Sequence, residues 1–158
     1  MLSASVTLGG CRAAPAGSPL ADTRDSAAEL IQAVLEATKV KDREALRGLL
    51  VTRDEYERLL WPEMPDGRYT PFDFVWSLNA TNSRKGLGQL LERYGGLDLE
   101  LVSLAFTDDP EAYDHFTLHA GARVTVRRGD TGEEGILPSL DVFVEYGGTW
   151  KLVNYDEL

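Results

Sequence analysis

Leu30, Ile31, Val34 and Leu35 recur at helical spacing directly behind Ser26-Ala-Ala-Glu29, a serine N-cap with a glutamate three residues on. This pattern predicts a helix over residues 27–38. A second, shorter helix over residues 42–50 would bury Leu46, Leu49 and Leu50. Thr52-Arg-Asp-Glu55 is another capping box; it opens a third helix that turns Tyr56, Leu59 and Leu60 inward. Pro62 and Pro65 stop that helix just after Trp61. Residues 63–69 read as a loop that turns at Pro65-Asp66-Gly67. Thr70-Pro71 then reads as the N-cap and first position of a further helix, with Phe72, Val75 and Trp76 as its apolar stripe. In Asn79-Ala-Thr-Asn-Ser83 the short polar side chains compete for backbone hydrogen bonds, so a break is expected there. A last helix over residues 84–93 buries Leu87, Leu90 and Leu91 and ends at Gly95-Gly96.

Beyond residue 96 the period changes from helical to two. Residues 97–106 form a strand that is apolar on both faces, so both are expected to be covered in part. Residues 113–128 alternate: Phe116, Leu118, Ala120, Ala122, Val124 and Val126 point one way, and His115, Thr117, His119, Arg123, Thr125 and Arg127 the other. Gly121 marks a bulge or bend in that strand. Two more strands meet at Gly147-Gly148. Were the loop those two glycines alone, Val144 would face Lys151 and Glu145 would face Trp150, and both sheet faces would be mixed. A three-residue loop, Tyr146-Gly147-Gly148, places Val144 opposite Trp150 and Val142 opposite Leu152 and gives one apolar face. Pattern alone favours the second register, with Gly148 left-handed and Trp150 a core anchor. Helices first and an antiparallel sheet afterwards make the chain α+β.

The chain has 158 residues, 43% of them apolar, enough for one domain with a core of its own. Its net charge of −10 disfavours nucleic acid and anionic lipid as partners, both of which need a basic face. A single cysteine, Cys11, rules out an intramolecular disulfide and a cysteine zinc site. Two histidines are too few for a histidine-only metal centre. The segment before Cys11 is uncharged and ends in Leu8-Gly9-Gly10. It resembles the lipobox of bacterial lipoproteins, although it is short and has no basic residue. That resemblance implies lipidation of Cys11 and an address at the bacterial cell envelope, the alternative being the cytoplasm. The chain then divides into a truncated signal segment over residues 1–10, a flexible tether over 11–25 and a folded domain over 26–158.

No residue carries a catalytic, cofactor or metal motif. Asp73 sits where a carboxylate favours a helix start. The acids at Asp108, Asp109, Glu111 and Asp114 lack the alternating ligands and tight-turn glycine of a calcium loop and read as a solvated turn. His115 and His119 fall on the polar face of their strand. Trp61, Tyr69 and Trp76 flank the proline loop and, with Asn154 near the end of the last strand, are the candidate lining of a ligand pocket.

With its elements placed, the chain resembles the nuclear transport factor 2-like (NTF2-like) superfamily over residues 26–155. The pointers are helices ahead of a curved antiparallel sheet, the final Gly147-Gly-Thr-Trp-Lys-Leu152 strand, and Trp61-Pro-Glu-Met-Pro65. The resemblance implies a cone-shaped fold and leaves the activity open, since that fold hosts many functions. The expectation is a non-enzymatic binding domain for a small apolar ligand or a protein partner, needing no cofactor. The resemblance also implies a homodimer through the sheet face. The alternatives are an isomerase, dehydratase or cyclase acting in the cone, or a cytosolic protein-interaction domain.

Overall fold

The computed structural model describes residues 18–156, so Cys11 and the segment around it lie outside the described residues. The fold is α+β: helices precede two antiparallel sheets of three and four strands that do not close on each other. Helix α1 (Ala27–Lys39) begins where Ser26 Oγ accepts the Glu29 N–H. Helix α2 (Arg43–Gly48) is capped by Asp42. Helix α3 (Arg53–Glu55) carries a complete capping box between Thr52 and Glu55 and runs on into a π-helical turn, Tyr56–Leu60. Helix α4 (Phe72–Tyr94) follows two short 3₁₀ turns.

Helix α4 is continuous through Asn79–Ser83, where a break was expected. Two of the polar side chains that would compete with its backbone are used elsewhere: Asn79 Nδ2 donates to the Val153 carbonyl (3.4 Å), and Ser83 Oγ accepts the Tyr155 N–H (3.3 Å). Packing against the C-terminal strand thus overrides local propensity. The stretch expected to belong to a flexible tether is also ordered from residue 18 onward. Leu20 is buried, Arg24 exchanges backbone hydrogen bonds with Trp150, and the Ala21 N–H donates to Glu55 (2.7 Å).

The three-stranded sheet has the order β1–β4–β5, with β1 (Leu99–Phe106), β4 (Ala122–Arg128) and β5 (Glu134–Leu137). The four-stranded sheet has the order β2–β3–β6–β7, with β2 (Glu111–Ala112), β3 (Phe116–His119), β6 (Phe143–Tyr146) and β7 (Thr149–Leu152). Strands β3 and β4 form the expected long strand, bent at Gly121, so the chain passes from one sheet to the other at that point. Gly121 has φ +67°, and a Cβ there would sit 2.2 Å from Thr107 Oγ1. The bend also shifts the alternation by one residue, which corrects the expected faces. Val124 and Val126 enter the core under α1, whereas Phe116 and Leu118 enter a second core on the other side of the sheet. His119, expected on the polar face beside Arg123, instead packs on Trp150 and Phe106, at ring-centroid distances of 4.6 and 5.2 Å. Strand β1 is covered on one face only; a bulge between Leu101 and Ser103 leaves Val102 exposed.

The hairpin takes the register that pattern disfavoured. Val144 pairs with Lys151, Glu145 with Trp150 and Phe143 with Leu152, across a two-residue loop of Gly147 (φ +59°) and Gly148 (φ +78°). Two successive left-handed glycines match the strand twist in such a turn. The faces are mixed because both are covered. Phe143, Leu152 and Trp150 pack under α1, while Val144 and Val153 pack against Tyr56 and Leu60. Lys151, on the second face, is 1% exposed, and its Nζ donates to both oxygens of Glu55 (2.9 and 3.1 Å).

Candidate ligand cleft

Small residues on α4 open a cleft against the C-terminal strand. Trp76, Asn79, Ala80, Ser83, Arg84 and Leu87 fall at helical spacing and share one face of the helix. Leu50, Val51 and Thr52 face them from the α2–α3 connection, and Val153 closes the floor. The space is about 210 Å³. It exists because Ala80 and Ser83 occupy mid-stripe positions between the bulkier Trp76 and Leu87. Its walls are pinned from both sides. Val51 donates its N–H to the Leu152 carbonyl (2.8 Å), and Leu152 donates to Leu49 (3.0 Å). The Asn79 and Ser83 bonds hold α4 to the same strand. Among the lining residues the ionisable ones are Arg47 and Arg84, both exposed at the rim.

Trp76, one of the expected pocket residues, lines this cleft and belongs to an aromatic cluster with Tyr56, Trp61 and Phe72. Trp61 packs in that cluster and not in the cleft. Tyr69 is 87% exposed. Asn154 donates through Nδ2 to Asp156 (3.3 Å), and its buried Oδ1 has no partner among the described residues. The sequence reading missed Ala80, Ser83 and Leu50 as lining, because small and ordinary apolar residues carry no local mark of a void.

Two imidazole–carboxylate pairs lie outside the cleft. His119 Nε2 sits 3.0 Å from Glu145 within the Phe106–Trp150 stack. His115 Nδ1 sits 2.6 Å from Glu63, which also accepts the His115 N–H. Desolvation pushes the Glu63 carboxyl up, and these His115 contacts, with the Asp114 N–H, together outweigh it and hold the group below its ordinary value. The pair ties the proline loop to the start of β3. Asp73 forms an exposed ion pair with Arg53, in keeping with its expected place at a helix start. Among the described residues no group of three or more potential ligands is arranged for a metal.

Near the chain end, Asp156 approaches Asp141, which itself accepts the Gly121 N–H (3.1 Å). Burial, and then the Asp141 charge and hydrogen bond, raise the Asp156 carboxyl above its ordinary value. A raised folded-state value means stabilisation that is present below the ordinary carboxylate range and is lost as pH rises through the raised value. Asp156→Asn keeps a donor toward Asp141 at every pH. It should therefore raise Tm at pH 7 by about 1–3 °C and flatten the decline between mildly acidic and neutral pH. Thermal melts across that range check it; a lower Tm at pH 7 would show that the two carboxyls do not interact.

Compared with models of protein families, with curated proteins and with solved structures, the chain matches none.

Proposed function

We propose that this chain is a non-catalytic binding domain of NTF2-like architecture whose cleft along α4 receives a small apolar group. The observation that carries this reading is the cleft itself. Its walls are mostly apolar and are fixed by backbone hydrogen bonds on the α2–α3 side and by the Asn79 and Ser83 side chains on the α4 side, and the lining offers no carboxylate or imidazole to move a proton. Proton-transfer chemistry of the isomerase kind needs such a group within hydrogen-bond reach of the substrate. The His119–Glu145 pair is not part of the lining. The NTF2-like reading is supported by helices ahead of two antiparallel sheets that the chain joins at the Gly121 bend between β3 and β4, and by the closing Gly147–Leu152 segment. The cleft is smaller than the roughly 300–1,000 Å³ of pockets that take drug-sized ligands, which points to a short chain or a single ring.

The test is an NMR titration with 1-octanol. Its amide shifts are expected at Trp76, Ala80 and Val153, and Ala80→Leu should abolish them without lowering Tm. Shifts confined to other parts of the molecule, or binding unaffected by Ala80→Leu, would remove this reading. The lipobox resemblance at Cys11 adds a bacterial cell-envelope address. Palmitate labelling of wild type that is lost in Cys11→Ser supports that address, and equal labelling of the two removes it.

A further inference from the structure

We propose that the cleft selects an amphipathic anion, with a short alkyl or aryl tail against Trp76, Leu50, Leu87 and Val153 and a carboxylate held between Arg47 and Arg84. This rests on the binding reading above and goes further by assigning the headgroup. The chain carries 26 acidic against 16 basic side chains, yet the ionisable residues lining this cleft are both arginines. The rim therefore departs in sign from the protein as a whole. Arg84 forms no ion pair among the described residues. Among the described residues Arg47 pairs only with Glu44, three residues earlier on the same helix (2.7 Å), and both side chains are largely exposed. An exposed pair of that kind contributes little, so its carboxylate can be exchanged for that of a ligand. A planar guanidinium matches a carboxylate in two parallel hydrogen bonds. Behind the rim, the tail meets apolar walls broken only by Thr52, Asn79 and Ser83, and Asn79 and Ser83 are already engaged with the C-terminal strand. An anionic head with an apolar tail is the ligand chemistry that fits both ends.

Octanoate, 1-octanol and octylamine share a tail and differ in head, so they separate the two levels of the proposal. In NMR titrations of the whole chain at low salt, octanoate should bind at least about tenfold more tightly than 1-octanol, with octylamine weakest. Added salt should narrow the gap by screening the rim. Arg47→Gln with Arg84→Gln should bring octanoate to the affinity that 1-octanol shows for the same double variant. Equal affinity for octanoate and 1-octanol, or a preference that survives the double variant, overturns the anion assignment and leaves the apolar cleft standing. Failure of both octanoate and 1-octanol to bind overturns the cleft reading as well.

Discussion

Glu55→Gln is expected to cost about 3–5 kcal/mol of folding free energy, and Lys151→Met somewhat less, at the lower end of that range. Lys151 is buried on the sheet face that packs against Tyr56 and Leu60, and the Glu55 carboxylate meets its ammonium through both oxygens. Removing the carboxylate charge leaves that ammonium uncompensated in a low-dielectric interior. It also weakens the acceptor for two backbone N–H groups, those of Thr52 and Ala21, both at 2.7 Å. Removing the lysine is milder, because those two N–H groups still hold the carboxylate. The double variant Glu55→Gln/Lys151→Met should recover part of the loss, since neither charge is then stranded. Urea unfolding of the four proteins measures this cycle. A cost under about 1 kcal/mol for either single variant would mean that Lys151 is not buried and that the hairpin register is wrong.

The same pair sets an acid limit. Burial pushes the Glu55 carboxyl up, but the Thr52 and Ala21 N–H groups and the Lys151 ammonium outweigh it and hold the group below its ordinary value. Its stabilisation is therefore fully present above the ordinary carboxylate range and is lost as pH falls through the lowered value. In Lys151→Met two of the lowering contacts are gone, so acid unfolding should begin at a higher pH than in the wild type.

Lys151 also shows why the fold was only partly legible. Helix starts are local chemistry, and the caps at Ser26 and Thr52 hold as read. The hairpin strands were legible too, but their register was inferred from a preference for one apolar face. That preference fails when a sheet is covered on both sides and the polar residue on one face finds a partner 96 positions away. The faces of the long strand were misread for a related reason. A left-handed glycine at 121 shifts the alternation by one; the bend there was legible, but the alternation was carried straight through it. The cleft was legible only through Trp76. A void is made by what is absent, and Ala80 and Ser83 define one only once α4 is seen against Leu50 and Val153. The Asn79–Ser83 segment carried a signal, but of the wrong kind: side chains poor for an isolated helix serve here to fasten α4 to the last strand.

That fastening yields the second large prediction. Gly86→Ala should destabilise the protein by about 3 kcal/mol, whereas Gly88→Ala, two residues along the same helix, should stabilise it by about 0.5–1 kcal/mol. Alanine for glycine inside a helix is ordinarily a gain, because glycine gives up more backbone freedom on folding. At Gly88 nothing lies within 4 Å of the added methyl, so the gain is expected in full. At Gly86 the methyl would stand 2.3 Å from the Asp156 carbonyl oxygen and 2.6 Å from that of Tyr155. Both are backbone atoms, so no side chain can swing aside. The chain end cannot lift away freely either. The Tyr155 ring is fully buried, its hydroxyl donates to the Leu46 carbonyl (2.8 Å), and the Asp156 N–H donates to the Ser139 carbonyl (2.8 Å). Relief of the clash must therefore break one of these bonds or push α4 outward, which would open the cleft between Ser83 and Val153. Chemical denaturation of the two variants gives the contrast directly, and 1-octanol titration of Gly86→Ala gives its consequence for the cleft. Equal stability of the two variants would show that α4 does not pass against the chain end at this separation, and with that the pinned wall of the cleft would go.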